Sequence, residues 1–260
     1  RHFAIGPGDG HWLADQAALE AMLDAADIDE HDVVLEIGPG PGALTELLVE
    51  RAGQVVAVEF DRELARQLPR RVSASNLTVH QIDILQFDLT QLPPDYTVCA
   101  NIPYYLTSKL LRTLSESTNP PSVVALLVQK EVAERIAASP GNMSLLSASV
   151  QWYFAAELRE VVPAASFVPA PKVDSQIIKL TCRSEPLFAD VDTKGFFQLV
   201  KAGYSARRKT LQNSLSGGLR LSKDEVSDLL EHAGLSKTAR PQELSLEDWH
   251  ALYQAYTILG

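Results

Sequence analysis

Cysteine is scarce in this chain, with Cys99 and Cys182 the two examples in 260 residues. Both sit in apolar stretches, so a disulfide framework or a cysteine-rich metal site is not expected, and reduced core thiols are. The six histidines show no H-x-x-x-H spacing and no cysteine at zinc-ligand distance, so no metal is expected. No apolar run reaches the roughly 18 residues that a membrane-spanning helix needs. Residues 1–10 lack the apolar stretch that follows the basic head of a secretory signal. Basic residues are also in deficit: 23 Lys and Arg face 33 Asp and Glu, for a net charge of −10. A uniformly basic nucleic-acid binder is thereby excluded, but a local basic face is not, because phosphate contacts are local. Internal repeats and low-complexity tracts are absent.

What is present is an alternation of short apolar runs with helical periods. Runs at 32–37 (DVVLEI), 54–59 (QVVAVE), 77–80, 96–100 (YTVCA) and 123–128 (VVALLV) read as buried strands. Helical patterns fill 14–25, 43–51, 61–70 and 106–114. This order predicts βαβ units and a mostly parallel sheet. After about residue 140 a helix near 144–151 leads to strands at 157–162 and 176–182, separated by a Pro-rich loop. They predict an antiparallel hairpin at the sheet edge. Residues 184–192 read as a linker, and helices follow at 193–203, 207–217, 222–232 and 245–257. The expected division is therefore an α/β domain over 1–183 and a small all-helical domain over 184–260.

The first strand ends in Gly38-Pro39-Gly40-Pro41-Gly42-Ala43. Glycines there permit a tight turn and close approach of a ligand to the backbone. Glu59 closes the second strand about 20 residues after Gly38, the spacing at which an acid takes ribose hydroxyls. An adenosine-containing cofactor follows. The glycines alone do not choose between NAD and S-adenosylmethionine. Pro39 and Pro41 have no N–H, which leaves the loop short of donors for a pyrophosphate and favours S-adenosylmethionine. Asp83, after the third strand, reads equally as an acceptor for a cofactor amino group or as a helix cap.

Asn101-Ile102-Pro103-Tyr104 ends the fourth strand, where ligands bind in open parallel sheets. An exocyclic amine is a poor nucleophile because its lone pair is delocalised into the ring. The Asn101 side-chain oxygen and the Ile102 carbonyl can accept its two N–H groups and favour a pyramidal nitrogen. Pro103 fixes the turn, and Tyr104 can stack on the base, a contact worth roughly 1–3 kcal/mol. The target base must leave its stack or be unpaired. In the second domain, Lys201 and the run Arg207-Arg208-Lys209 supply local positive charge. Read as the first turn of a helix capped by Ser205, those cations oppose the helix dipole, which points to phosphate binding rather than stability.

The segments VLEIGPGPGALT (34–45), VVAVEFD (55–61), NIPYYLTS (101–108), QKEVAERIAASPG (129–141), FVPAPKVDS (167–175), FFQLVKAGYSARRKTLQNSL (196–215) and RPQELS (240–245) occur in this order. Through them the chain resembles the KsgA-type ribosomal RNA small subunit adenine N6,N6-dimethyltransferases over nearly its whole length. The resemblance implies a Rossmann-like class I methyltransferase sheet using S-adenosylmethionine. It also implies that Gly38 contacts the methionine end of the cofactor, Glu59 its ribose and Asp83 its adenine, with Gly40 and Ile84 also binding the cofactor. Asn101 would bridge cofactor and target, with Tyr104 and Phe167 enclosing the adenine. The family's usual G-Q-N/H-F-L segment is here Gly10-His11-Trp12-Leu13, which gives His11 and Leu13 the cofactor-contact positions. The implied partner is rRNA of the small subunit or its precursor, met by a cytoplasmic monomer. Alternatives are an Erm-type enzyme acting on large-subunit rRNA, a non-catalytic ribosome-assembly factor on the same fold, and an NAD-dependent oxidoreductase.

Overall fold

The computed structural model describes residues 11–206 and 208–259, apart from the side chains of Tyr104 and Leu259. The chain begins with β1 (Trp12–Leu13), α1 (Gln16–Ala25), β2 (Val33–Ile37), α2 (Ala43–Arg51), β3 (Gln54–Glu59), α3 (Arg62–Arg71) and β4 (Leu77–Gln81). It continues through β5 (Thr97–Asn101), α4 (Tyr104–Glu116), β6 (Val123–Gln129), α5 (Lys130–Ile136), α6 (Leu145–Tyr153), β7 (Phe154–Val162), β8 (Phe167–Val168) and β9 (Ser175–Cys182). The helices α7 (Thr193–Gly203), α8 (Leu211–Leu219), α9 (Lys223–His232) and α10 (Leu246–Leu259) complete it.

Seven strands form one sheet in the order β4-β3-β2-β5-β6-β9-β7. From β4 to β6 the neighbours are parallel, while β9 runs antiparallel to β6, and β7 to β9. The expected mixed sheet with its antiparallel edge hairpin is what forms. The central strands β2, β5 and β6 are almost wholly buried, which is why they read as continuous apolar runs rather than alternating ones. Chain order reverses between β2 and β5, and at such a switch point the loops leaving the two strands diverge and open a crevice. Residues 163–174, which join β7 to β9, carry β8, and β8 pairs with β1 in a separate two-stranded sheet.

Helix starts follow capping chemistry. The Asp15 carboxylate accepts the Ala17 N–H at 3.0 Å, and the Asp61 carboxylate accepts Glu63 and Leu64 N–H at 2.8 and 2.9 Å. Ser222 and Glu225 form a reciprocal capping box on α9.

The chain divides into two compact units. One takes residues up to Glu134 together with Phe154–Cys182, and the other takes Arg135–Tyr153 with Arg183 onward. The expected single boundary at 183 therefore misses one crossing: residues 135–153 belong with the helices. The reason is packing. Trp152 of α6 stacks on Phe196 of α7 with ring centroids 4.3 Å apart, in a core that also holds Leu199, Leu215 and Trp249. A second correction concerns α8, expected over 207–217. It starts at Leu211 with Thr210 as its cap residue. The Ser205 hydroxyl instead donates to the Ala202 carbonyl at 2.7 Å, closing α7 rather than opening α8. Arg208 and Lys209 thus lie in the turn before the helix, and the dipole argument for them falls away. Among the described residues, no helix is long and apolar enough to cross a membrane.

Candidate active site

The switch-point crevice is a cavity of about 480 Å³. Its floor is made by strand ends: Glu36 and Ile37 of β2, Glu59 of β3, Asn101 of β5 and Leu127–Gln129 of β6. Gly38 carries the chain away from β2 with φ +66°, a left-handed conformation that costs a residue with a Cβ. Its N–H donates to the Val58 carbonyl at 2.9 Å, tying the glycine loop to β3, and the space beside its Cα is open.

Two acids meet this loop. Glu59, 7% exposed, accepts the Gly40 N–H at 3.1 Å on one oxygen and the Asp61 N–H at 2.9 Å on the other. Burial pushes its carboxyl above the usual range, against the pull of those two hydrogen bonds. Glu36 is 1% exposed and more perturbed: burial lifts its pKa to about 8, and the nearby Glu59 charge adds to the rise. The Thr45 hydroxyl donates to Glu36 Oε2 at 2.6 Å, while Oε1 is buried with no partner among the described residues. Sequence reasoning passed over Glu36. The available signal was an acid inside an otherwise apolar strand, VVLEI, where a charge is costly unless a ligand answers it.

Asn101 is the last residue of β5, Pro103 is the N-cap residue of α4, and Tyr104 opens that helix. Asn101 is half-buried, lines the cavity, and its carboxamide makes no hydrogen bond among the described residues. Ile102 and Pro103 also line the cavity. The Tyr104 side chain, expected to stack on the target, lies outside the described residues.

β1 and β8 close the cavity from the other direction. Trp12 pairs with Val168 and Leu13 with Phe167. The Ala14 N–H donates to the Ser166 carbonyl at 2.9 Å, and His11 Nδ1 lies 2.7 Å from the Pro169 carbonyl oxygen. The Trp12 ring rests on Gly40: a Cβ there would come within 2.1 Å of its Cζ3. Phe167 lines the cavity but is only 4% exposed, because its ring also packs in the core with Leu19, Leu23 and Leu127.

The structure thus brings together His11, Leu13, Gly38, Glu59, Asn101, Ile102, Pro103 and Phe167 around one cavity. Gly40, Asp83 and Ile84 are not among its lining residues. Gly40 is covered by Trp12. The Asp83 carboxylate accepts the Leu85 N–H at 2.9 Å, capping a short 3-10 turn, and Ile84 is 5% exposed within it. Lys201, Arg208 and Lys209 are exposed on the helical unit, and Arg207 lies outside the described residues.

A glycine loop after β2, an acid ending β3 and an Asn-Ile-Pro turn ending β5 define an α/β methyltransferase of the class I type. The particular family is equally plain: the chain belongs to the ribosomal RNA adenine dimethylases, whose pattern it matches over residues 9–257. It is 41% identical over 251 residues to the ribosomal RNA small subunit methyltransferase A of Dehalococcoides mccartyi, covering 95% of this chain and 86% of that one. The protein of the same name from Streptococcus pneumoniae is 42% identical over 258 residues, covering 94% and 89%. Among solved structures, a dimethyladenosine transferase from Plasmodium falciparum superposes with a TM-score of 0.81 at 26% identity, over 95% of this chain and 98% of that one. The 23S rRNA methyltransferase ErmE gives 0.77 at 29% identity, over 94% and 98%.

S-adenosylmethionine is the cofactor of this family, and the cavity fits it. Glu36 Oε1, buried and unpartnered, suits a ligand that brings an ammonium group. Open space beside Gly38 admits the ligand to the backbone, and Glu59 offers carboxylate oxygens to hydroxyls. The N–H-poor loop at Pro39 and Pro41 is no handicap for a ligand without phosphate.

Proposed function

We propose that this protein dimethylates the N6 amino group of adenine in small-subunit (16S) ribosomal RNA during ribosome biogenesis. The observation that carries the reading is the Asn101 carboxamide, unpaired among the described residues and on the same cavity as Gly38, Glu36 and Glu59. Those three residues and His11 and Leu13 would hold the cofactor; Asp83, reserved for its adenine, and the neighbouring Ile84 would have to be reached from the cavity edge. When bound, S-adenosylmethionine supplies an activated methyl group with a good leaving group behind it. The chain's own task is then alignment, and correct placement of two reacting groups can supply much of the acceleration. Asn101 Oδ1 accepts one amino N–H of the base and the Ile102 carbonyl accepts the other, which turns the nitrogen lone pair away from the ring. Pro103, as the N-cap residue of α4, fixes the direction of that carbonyl. Phe167 offers its cavity-facing side to the base, and the family resemblance gives Tyr104 the other stacking role. The apolar lining excludes water that would compete for the same hydrogen bonds.

Lys201, Arg207, Arg208 and Lys209 would contact phosphates, which reconciles RNA binding with an acidic chain. The small subunit is favoured over the large one by sequence likeness: 41–42% identity to relatives named for the small subunit, against 29% to the 23S enzyme. We read the protein as a cytoplasmic monomer. The test is methyl transfer from labelled S-adenosylmethionine to undermethylated 30S subunits, with 50S subunits and an Asn101→Ala variant alongside. Label on 30S as N6,N6-dimethyladenine, lost in the variant, is expected. Label on 50S alone would move the protein to the Erm-type reading. Cofactor binding without transfer would make it an assembly factor.

A further inference from the structure

Large aromatic rings in this protein are mostly buried, and among the described residues only Phe60 and Tyr105 are left largely in solvent. Tyr105 is 73% exposed, yet it also lines the active-site cavity. A residue that does both stands at the opening. It is the second residue of α4, so its backbone is fixed by the same turn that presents Asn101 and Ile102. Val173, 48% exposed and also lining the cavity, makes the opening apolar beyond Tyr105 itself. Among the described residues, nothing accounts for this exposure. The ring is absent from the core clusters and makes no hydrogen bond or ring contact among the described residues.

Resting on the function proposed above, we infer that Tyr105 is a positioning residue that stacks on the nucleotide flanking the target adenine. When a base is drawn into the cavity, its neighbour in the strand loses a stacking face. An aromatic ring held at the opening replaces that face and is indifferent to which base it meets, because every base has a π-face. Stacking there does not touch the reacting atoms. It holds the opened strand in place while Asn101 and the Ile102 carbonyl engage the amino group. Tyr105 therefore acts on RNA capture and not on cofactor affinity.

Tyr105→Ala, Tyr105→Phe and Tyr105→Leu separate this role from others. The ring is exposed, so the thermal midpoints of all three variants should stay at the wild-type value, and calorimetric affinity for S-adenosylmethionine should not move. For undermethylated 30S subunits, loss of one base–aromatic stack predicts a rise in KM of about tenfold for Tyr105→Ala, with kcat at saturating subunits kept within about twofold. Tyr105→Phe should restore the wild-type KM, and Tyr105→Leu should fall between. A wild-type KM in Tyr105→Ala would overturn the inference. So would a Tyr105→Phe variant as impaired as Tyr105→Ala, since the hydroxyl rather than the ring face would then be at work. If wild-type protein methylates no rRNA at all, the underlying assignment fails first, and this one with it.

Discussion

Glu36 makes the protein less stable than its shape requires, and the penalty depends on pH. Its carboxyl has a pKa near 4.5 in the unfolded chain and about 8 in the folded one. Between those values the folded protein holds a proton that the unfolded chain has released. Stability from this group is therefore greatest below the lower value, falls as pH rises through the window, and levels off above the upper one. Each pH unit inside the window costs about 1.4 kcal/mol, so moving from about pH 5 to about pH 7.5 removes roughly 3 kcal/mol. Glu36→Gln abolishes the titration. Its side-chain oxygen can still accept the Thr45 hydroxyl, but its N–H groups gain no partner, a cost of about 1–3 kcal/mol. The absolute stability of the variant at neutral pH is accordingly a poor test, whereas the slope is a sharp one. Urea unfolding of both proteins at the two pH values should show the wild type losing roughly 3 kcal/mol more than the variant. Other titrating groups are common to both and cancel. Equal losses would mean that water or structural relaxation solvates Glu36, and that its burial is not a functional cost. A ligand ammonium group would complete the unpartnered Glu36 oxygen, so S-adenosylmethionine should bind Glu36→Gln markedly more weakly than wild type.

Gly40→Ala would drive a methyl group into the Trp12 ring, 2.1 Å from Cζ3, on a backbone already at φ +55°. Trp12 must leave, so the variant should show altered tryptophan fluorescence and cofactor affinity lowered at least about tenfold; unchanged values for both would show that β1 does not cover the glycine loop in solution. Lys209→Ala, an exposed change in the turn before α8, should weaken 30S binding and lower the log–log salt slope by about 1 while leaving cofactor affinity alone. An unchanged slope would remove this turn from the RNA interface.

Where a local chemical signal marks an element, the sequence reading meets the structure. Strand β3, helix α2 and helix α7 begin and end where the reading put them, because a glycine loop, a strand-terminal acid and an aspartate cap bracket them. Two places where it fails share a cause. The start of α8 was assigned from Ser205, a good capping residue, but that hydroxyl is spent on the last turn of α7. No composition shift marks residues 135–153, so the sequence predicts a single domain boundary. Their allegiance is decided by Trp152 meeting Phe196 and Phe188, contacts invisible to any local window. The candidate site was legible through its glycines, Glu59 and the Asn101 turn, because each stands at a strand end where a short local motif marks it. Glu36 was hidden because a strand pattern gives no measure of what an acid inside it will meet.

The pairing of β1 with β8 was least legible of all, since two residues on each side carry no period. Yet it bears on how the site is assembled. Trp12 seals the glycine loop, the neighbouring Leu13 is paired with Phe167, and the Ser166 hydroxyl donates to the Asp15 carboxylate at 2.9 Å. Asp15 caps α1, and its carboxyl is held below the usual range by that hydroxyl first and by the helix N–H groups next. One carboxylate therefore fixes both the helix and the loop that carries Phe167. The cover over the glycine loop and the Phe167 wall of the cavity are consequently parts of one small sheet, so under the proposed function the cofactor and the target base would share it. A displacement of either strand breaks the hydrogen bonds that position the other, so the two binding regions of the cavity cannot be altered independently from this side.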